Sequence, residues 1–234
     1  MKKNIVVIMG GYSKEHEISL KSGKTVFNNI DKMFYNVYML IVNKKKWIIQ
    51  TEEGESYPIS KEKFTCLIND VEIKFDLVFN MIHGSPGEDG IIQKYFDKLN
   101  IPYTGPSSDV AQLTFNKSNS IDFARKINIK TAKSILINKD SNISFYNIEK
   151  DLGLPLFVKA NNSGSSFGIS KVYTIKDLEI AIKKSFHFDD EVLIEQFLNG
   201  KEVSVGVMYF NGKIKVFGIT EITSSNDFFD YEAK

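Results

Sequence analysis

The chain has 234 residues, 42% of them hydrophobic and 25% charged, which suits one large or two small domains with a sizeable core and excludes a disordered chain. Lys plus Arg (30) balance Asp plus Glu (29), so no overall field favours nucleic acid or a membrane surface. The single cysteine, Cys66, excludes an intrachain disulfide and reads as an inert core residue of a reducing compartment.

Met1-Lys2-Lys3 precedes the apolar run Ile5 to Met9, which is too short for a signal peptide and is closed by Gly10-Gly11. No run approaches the ~20 residues of a membrane span, so a cytoplasmic protein is expected. Asn4 to Met9 predicts a buried strand, and Ser13 a cap for a helix reaching Asn29 with Glu15 and Glu17 in its first turn. Tyr35 to Val42, Lys46 to Thr51 and Phe75 to Ile82 read as further strands. A helix is expected from Glu88, with Ile92, Tyr95, Phe96 and Leu99 at helical spacing. Strand-helix alternation of this kind predicts a mostly parallel sheet covered by helices. A boundary is expected at Tyr103-Thr104-Gly105-Pro106, giving domains 1–105 and 106–234.

Beyond the boundary the texture changes. Helices are expected over 108–114 and 117–126, strands over 132–137, 156–159 and 169–173, and a helix from Thr174 and Asp177 carrying Leu178, Ala181 and Ile182. Residues 191–197, 201–209 and 213–223 read as strands joined by turns at Asn199-Gly200 and Asn211-Gly212. The second half is therefore α+β with an antiparallel sheet.

Some familiar patterns fail on spacing. Gly23-Lys24-Thr25 resembles the end of a phosphate-binding loop, but Ile18 stands where that loop needs glycine, and the tripeptide falls inside a predicted helix. Gly10-Gly11 lacks dinucleotide-site spacing, and His16, His83 and His187 lack zinc-ligand spacing. Lys159 through Gly168 carries more: a strand-end lysine runs into Ser163-Gly164-Ser165-Ser166, small residues whose backbone N–H groups can approach an anion. A plain hairpin loop has the same composition. Glu191 to Glu202 can offer backbone groups and apolar walls to an adenine edge, with Glu202 for ribose hydroxyls; a strand–turn–strand with surface glutamates explains it equally well. Glu15 and Glu17 at a helix start beyond a strand end suit either an ammonium ligand or the helix dipole, and His83 follows a neighbouring strand.

Taken together, Gly10-Gly11-x-Ser13-x-Glu15-x-Glu17-Ile18-Ser19, His83-Gly84-x-x-Gly87-Glu88-Asp89-Gly90, Tyr103-Thr104-Gly105, Lys159 to Gly168, Glu191 to Glu195 and Tyr231-Glu232-Ala233-Lys234 resemble the ordered motifs of the D-alanine–D-alanine ligase family across the whole chain. The resemblance implies a parallel α/β domain of the pre-ATP-grasp type followed by an ATP-grasp region that is incomplete at its C-terminal end. It implies ATP-dependent joining of two D-alanines through an acyl phosphate for peptidoglycan. Glu15 would bind the ammonium of the first D-alanine, with Ile18 and His83 lining that subsite. Lys117, Lys159, Ser163, Gly164, Ser165 and Ser166 would meet ATP phosphates, Ser165 also connecting towards Glu15. Glu195, Gln196, Phe197 and Leu198 would hold adenine, Glu202 the ribose, and Lys234 would reach the phosphates from a closing loop.

Asn116 and Ala160 stand where the family usually has Asp and Pro. The family's Mg2+ or Mn2+ ligands belong to a further segment not found in residues 1–234, so no metal ligand is assigned. The sequence is expected to stop short of the natural terminus, and 1–234 alone is expected to be inactive, a weak nucleotide binder and prone to associate. A homodimer is implied for the full-length protein, with no nucleic-acid or membrane partner. A D-alanine–D-lactate or D-serine ligase and a non-catalytic nucleotide-binding fragment are the alternative readings.

Overall fold

Ile5 to Met9 forms the centre of β1 (Lys3–Gly10), and all five side chains are buried. A strand buried on both faces needs a cover on each. On one side Val7 and Met9 pack with Phe27 of α1 (His16–Asn29). On the other, Val6 and Ile8 join a larger core with Ile92 and Phe96 of α2 (Ile91–Leu99). The computed structural model describes residues 2–141, 144–224 and 227–228, and the chain divides after Ser120 into two compact units.

In the first unit β2 (Tyr35–Val42) follows β1, and then come β3 (Trp47–Gln50), β4 (Ser56–Ser60), β5 (Thr65–Ile68), β6 (Val71–Lys74) and β7 (Leu77–Asn80). They form a seven-stranded sheet ordered β6-β5-β4-β3-β2-β1-β7. Parallel pairing is confined to β1 with β2 and β7; the other four pairings are antiparallel. The sheet is thus parallel at its centre and not mostly parallel. Short connections join β2 through β6, and strands joined by short turns must run antiparallel. The unit continues through α3 (Ser108–Phe115) into α4 (Lys117–Lys126). Asn116 Oδ1 accepts from Asn119 N at 2.9 Å, the N-cap bond of α4; Asp would serve equally, which accounts for the exchange at this position.

Two local expectations change. Ser13 is not the cap of α1: its hydroxyl donates to the His83 carbonyl at 2.9 Å and accepts from Glu15 N, and Glu15 holds the N-cap position. α2 begins at Ile91 because Glu88 is drawn into the preceding loop, where its carboxylate accepts from Gly84 N at 2.8 Å.

The second unit holds β8 (Ser134–Asn138), α5 (Phe145–Leu152), β9 (Leu156–Ala160), β10 (Ser170–Val172), α6 (Ile175–Ser185), β11 (Glu191–Gln196), β12 (Glu202–Phe210) and β13 (Lys213–Ile222). Four of its strands form an antiparallel sheet ordered β10-β9-β11-β8. One face packs Leu156, Val158, Val172 and Ile194 against Leu178, Ala181 and Ile182 of α6 and Ile148 and Leu152 of α5. Since side chains alternate between faces, Phe157, Lys159, Lys171 and Glu195 project from the opposite face. β12 and β13 form a hairpin on a tight turn with Asn211 and Gly212 at φ 49° and 75°. Among the described residues no helix is long and apolar enough to cross a membrane.

Candidate active site

Residues of the first unit gather at the carboxyl ends of β1 and β7. Ser19, fully buried on α1, ties those ends together: its Oγ accepts from Gly10 N at 2.8 Å and donates to the Met81 carbonyl at 2.6 Å. Tyr12 N donates to the Ser85 carbonyl at 2.7 Å, and with the Ser13–His83 bond this clamps the two strand-end loops together. Glu15 lies between them, 6% exposed; a Cβ added to Gly84 would stand 3.2 Å from its Oε2. Gly84 also has φ 69°, so glycine there serves both the left-handed turn and the approach of the carboxylate. The His83 ring reaches Ser22 Oγ at 3.3 Å. His83, Glu88, Asn80, Thr104 and Phe115 help line a cavity of about 450 Å3 beside this point. Ile18 is 41% exposed on α1, and Lys117 opens α4.

In the second unit the strand-end lysine and the small-residue loop stand together. Lys159 forms an ion pair with Glu195, the two side chains 26% and 12% exposed, and its ammonium lies 5.3 Å from the centre of the Phe157 ring. Phe157 is opposite Lys171 on one side and Glu195 on the other, so the three form a row across β10, β9 and β11. Phe197 leans on Phe157 with ring centres 6.1 Å apart. Gln196 N and Phe197 N donate to the carbonyls of Lys133 and Pro155, which fixes the backbone of the Glu195–Leu198 segment.

The loop after β9 is built to hold its shape. Asn162 N and Nδ2 donate to Asp189 Oδ2 at 2.5 and 2.9 Å, and Asn161 Nδ2 donates to Glu191 Oε2 at 2.7 Å. Phe167 N then closes on the Gly164 carbonyl at 3.1 Å, with Ser165 and Ser166 at φ 47° and 59°. Two successive left-handed non-glycine residues cost about 1–2 kcal/mol each, and strain of this kind gathers at functional sites. Gly168 at φ 71° ends the loop where a Cβ would strike the Phe188 ring at 2.9 Å. Asp189 was not singled out from the sequence, and Glu191 was read only as the start of the strand motif and not as a partner of this loop. Nothing local links either carboxylate to asparagines nearly thirty positions earlier.

Leu198 is 63% exposed, and Glu202 stands exposed at the start of β12 in the separate hairpin. Lys234, with Tyr231-Glu232-Ala233, lies outside the described residues. Gly23-Lys24-Thr25 is helical, as its position predicts: Gly23 is buried against Met9, and Thr25 Oγ1 donates to the Lys21 carbonyl.

An α/β unit with a parallel centre, followed by an antiparallel α+β unit carrying a lysine and a strained small-residue turn, is the architecture of ATP-grasp enzymes. Residues 4–106 match the family model described as D-ala D-ala ligase N-terminus, and residues 123–234 match that of the D-ala D-ala ligase C-terminus. A D-alanine–D-alanine ligase of Flavobacterium psychrophilum is 51% identical over 99% of this chain and 70% of its own length. Among solved structures, D-alanyl-alanine synthetase A of Vibrio cholerae superposes with a TM-score of 0.86 at 29% identity, covering 99% of this chain and 70% of that one. The VanG D-Ala:D-Ser ligase of Enterococcus faecalis gives 0.85 at 31%, covering 100% and 74%. The chain belongs to the D-alanine–D-alanine ligase family.

Proposed function

We propose that this protein joins two D-alanines to D-alanyl-D-alanine at the expense of ATP, with the residues below in the named roles. The observation that carries the reading is 51% identity to a D-alanine–D-alanine ligase along 99% of the chain. A carboxylate is a poor acyl donor. Phosphorylation gives it a leaving group: its oxygen attacks the γ-phosphorus of ATP, ADP departs, and an acyl phosphate remains. The amine of the second D-alanine then attacks the carbonyl carbon, sheds a proton and expels phosphate. Most of the acceleration in such chemistry comes from positioning and charge neutralisation.

Glu15, held between two strand-end loops, suits the ammonium of the first D-alanine, with His83 and Ile18 beside it. Lys159 and the Ser163–Ser166 turn suit the phosphates, joined by Lys117 and Lys234. Glu195 to Leu198 suit adenine, beside the Phe157 ring, and Glu202 the ribose. The fit to ATP rests on that cation-bearing face and the strained turn. Mg2+ or Mn2+ would neutralise phosphate charge in this reading; among the described residues no group of three or more His, Cys, Asp or Glu is placed to hold it, and no residue is assigned to it. A cytoplasmic homodimer working on free D-alanine completes the reading, with residues 1–105 and 106–234 as its substrate and nucleotide domains.

Phosphate release by the full-length protein with ATP and D-alanine tests it. Release with D-alanine and none with L-alanine is expected, and no stimulation by D-alanine overturns it. D-serine used in preference as the second substrate would place the protein with VanG, and D-lactate used in preference would make it a D-alanine–D-lactate ligase. Glu15→Gln keeps shape while removing charge, and should raise KM for D-alanine while that for ATP stays near normal.

A further inference from the structure

The polar face of the second sheet carries a second half-buried cation. Lys171, opposite Phe157, has a side chain only 9% exposed, and its Nζ bonds Asp227 Oδ1 at 2.9 Å. The Tyr173 hydroxyl donates to the same carboxylate, 2.6 and 2.7 Å from its two oxygens. The ammonium lies 4.5 Å from the centre of the Phe197 ring and 5.1 Å from that of Tyr173. Bonds to Tyr173 and Asp227 hold Lys171 above the usual lysine range, and the same contacts hold Asp227 below the usual carboxylate range. The cation is therefore fixed on the ring. Phe228, next to Asp227, meets Phe157 edge-on at 5.3 Å, so the ion pair and four aromatic rings form one cluster.

We propose that Lys171, clamped by Asp227 and Tyr173, is a positioning residue that sets the Phe197 ring as a wall of the purine site; this rests on the nucleotide role given to Glu195–Leu198 above. A cation on a ring face restrains that ring in place and orientation. Lys171 acts through Phe197, the ring its ammonium faces at 4.5 Å, and the Asp227 and Tyr173 contacts hold it there. Lys159, on the same face and one pleat along, keeps the phosphate role.

The test compares ATP with inorganic tripolyphosphate, which carries the phosphates without the base, as ligands of the full-length protein. Lys171→Met should weaken ATP roughly three- to tenfold and leave tripolyphosphate within about twofold, with KM for ATP rising more than kcat falls. Lys171→Arg, which keeps a cation able to lie on the ring, should restore most of the ATP affinity. Lys183→Met, on the exposed face of α6, serves as the neutral control. Equal weakening of both ligands by Lys171→Met would make Lys171 a phosphate ligand or a folding determinant and overturn the proposal. If the unaltered protein binds ATP and Lys171→Met binds it alike, the positioning role alone fails. If the unaltered protein binds tripolyphosphate no less tightly than ATP, the purine reading fails and the proposal with it.

Discussion

At the scale of single residues, the chemistry turns on charges held where solvent reaches them poorly. Lys159 shares its ammonium with Glu195, whose side chain is 12% exposed, so removing the lysine has two consequences. Loss of a charge-assisted bond to phosphate should weaken ATP handling by ~1.5–3 kcal/mol, roughly tenfold to over a hundredfold. The Glu195 carboxylate, deprived of its partner, should also destabilise the fold by about 1–2 kcal/mol, the low end for a pair still in touch with water. Lys159→Ala is therefore expected to fold, with Tm lower by about 2–8 °C. In a Glu195→Gln background the stability loss should shrink, and calorimetry of the two single variants and the double decides. Strictly additive losses would show that the pair is not coupled. From the sequence this lysine reads as a strand-end cation with little structural weight. Its partner lies thirty-six positions away, and only the register of β9 against β11 brings them together.

The elements owe their contacts to a few close approaches. Gly23 lies mid-way along α1, where glycine is normally about 1 kcal/mol worse than alanine. Here the sign reverses, because an added Cβ would stand 2.6 Å from Met9 Cβ on β1. Helix and sheet can only separate or shift, at a cost of about 1–3 kcal/mol. Gly23→Ala should therefore lower Tm, read by calorimetry; a rise would show that α1 packs more loosely than described. Helix periodicity and strand runs located most elements from sequence, since each pattern is local. β4, β5 and β6 were missed because short half-exposed strands at a sheet edge carry weak alternation, as in Ser56–Ser60 with Pro58 inside it. α5 was missed although its signals were present: Ser144 caps Asn147 N, and Ile148 and Leu152 stand four apart on the buried face.

At the scale of the whole chain, the two units hold separate cores, but the β12–β13 hairpin leaves large apolar side chains exposed, among them Val205, Val207, Ile214, Val216 and Ile219. An exposed apolar sheet surface of this kind favours association. Purified 1–234 should bind the dye ANS and sediment as larger species as concentration rises. Val205 and Ile219 stand directly opposite on the two strands. Val205→Lys with Ile219→Glu, an opposite-charge pair in register, should reduce both effects while keeping the hairpin. Unchanged dye binding and sedimentation would place the sticky surface elsewhere.

Sequence by itself determined most of the elements, the change from an α/β half to an antiparallel α+β half, and the motif set that marks the family. Those depend on local periodicity, turn chemistry and residue type, all carried by neighbours along the chain. Tertiary structure alone decided that Ser13 bonds the His83 loop and does not cap α1, that Lys159 pairs with Glu195, and that the Lys171 ammonium lies over the Phe197 ring. Each of these is a meeting of residues more than twenty-five positions apart, set by strand register and loop closure. No local pattern encodes which strand will lie beside which.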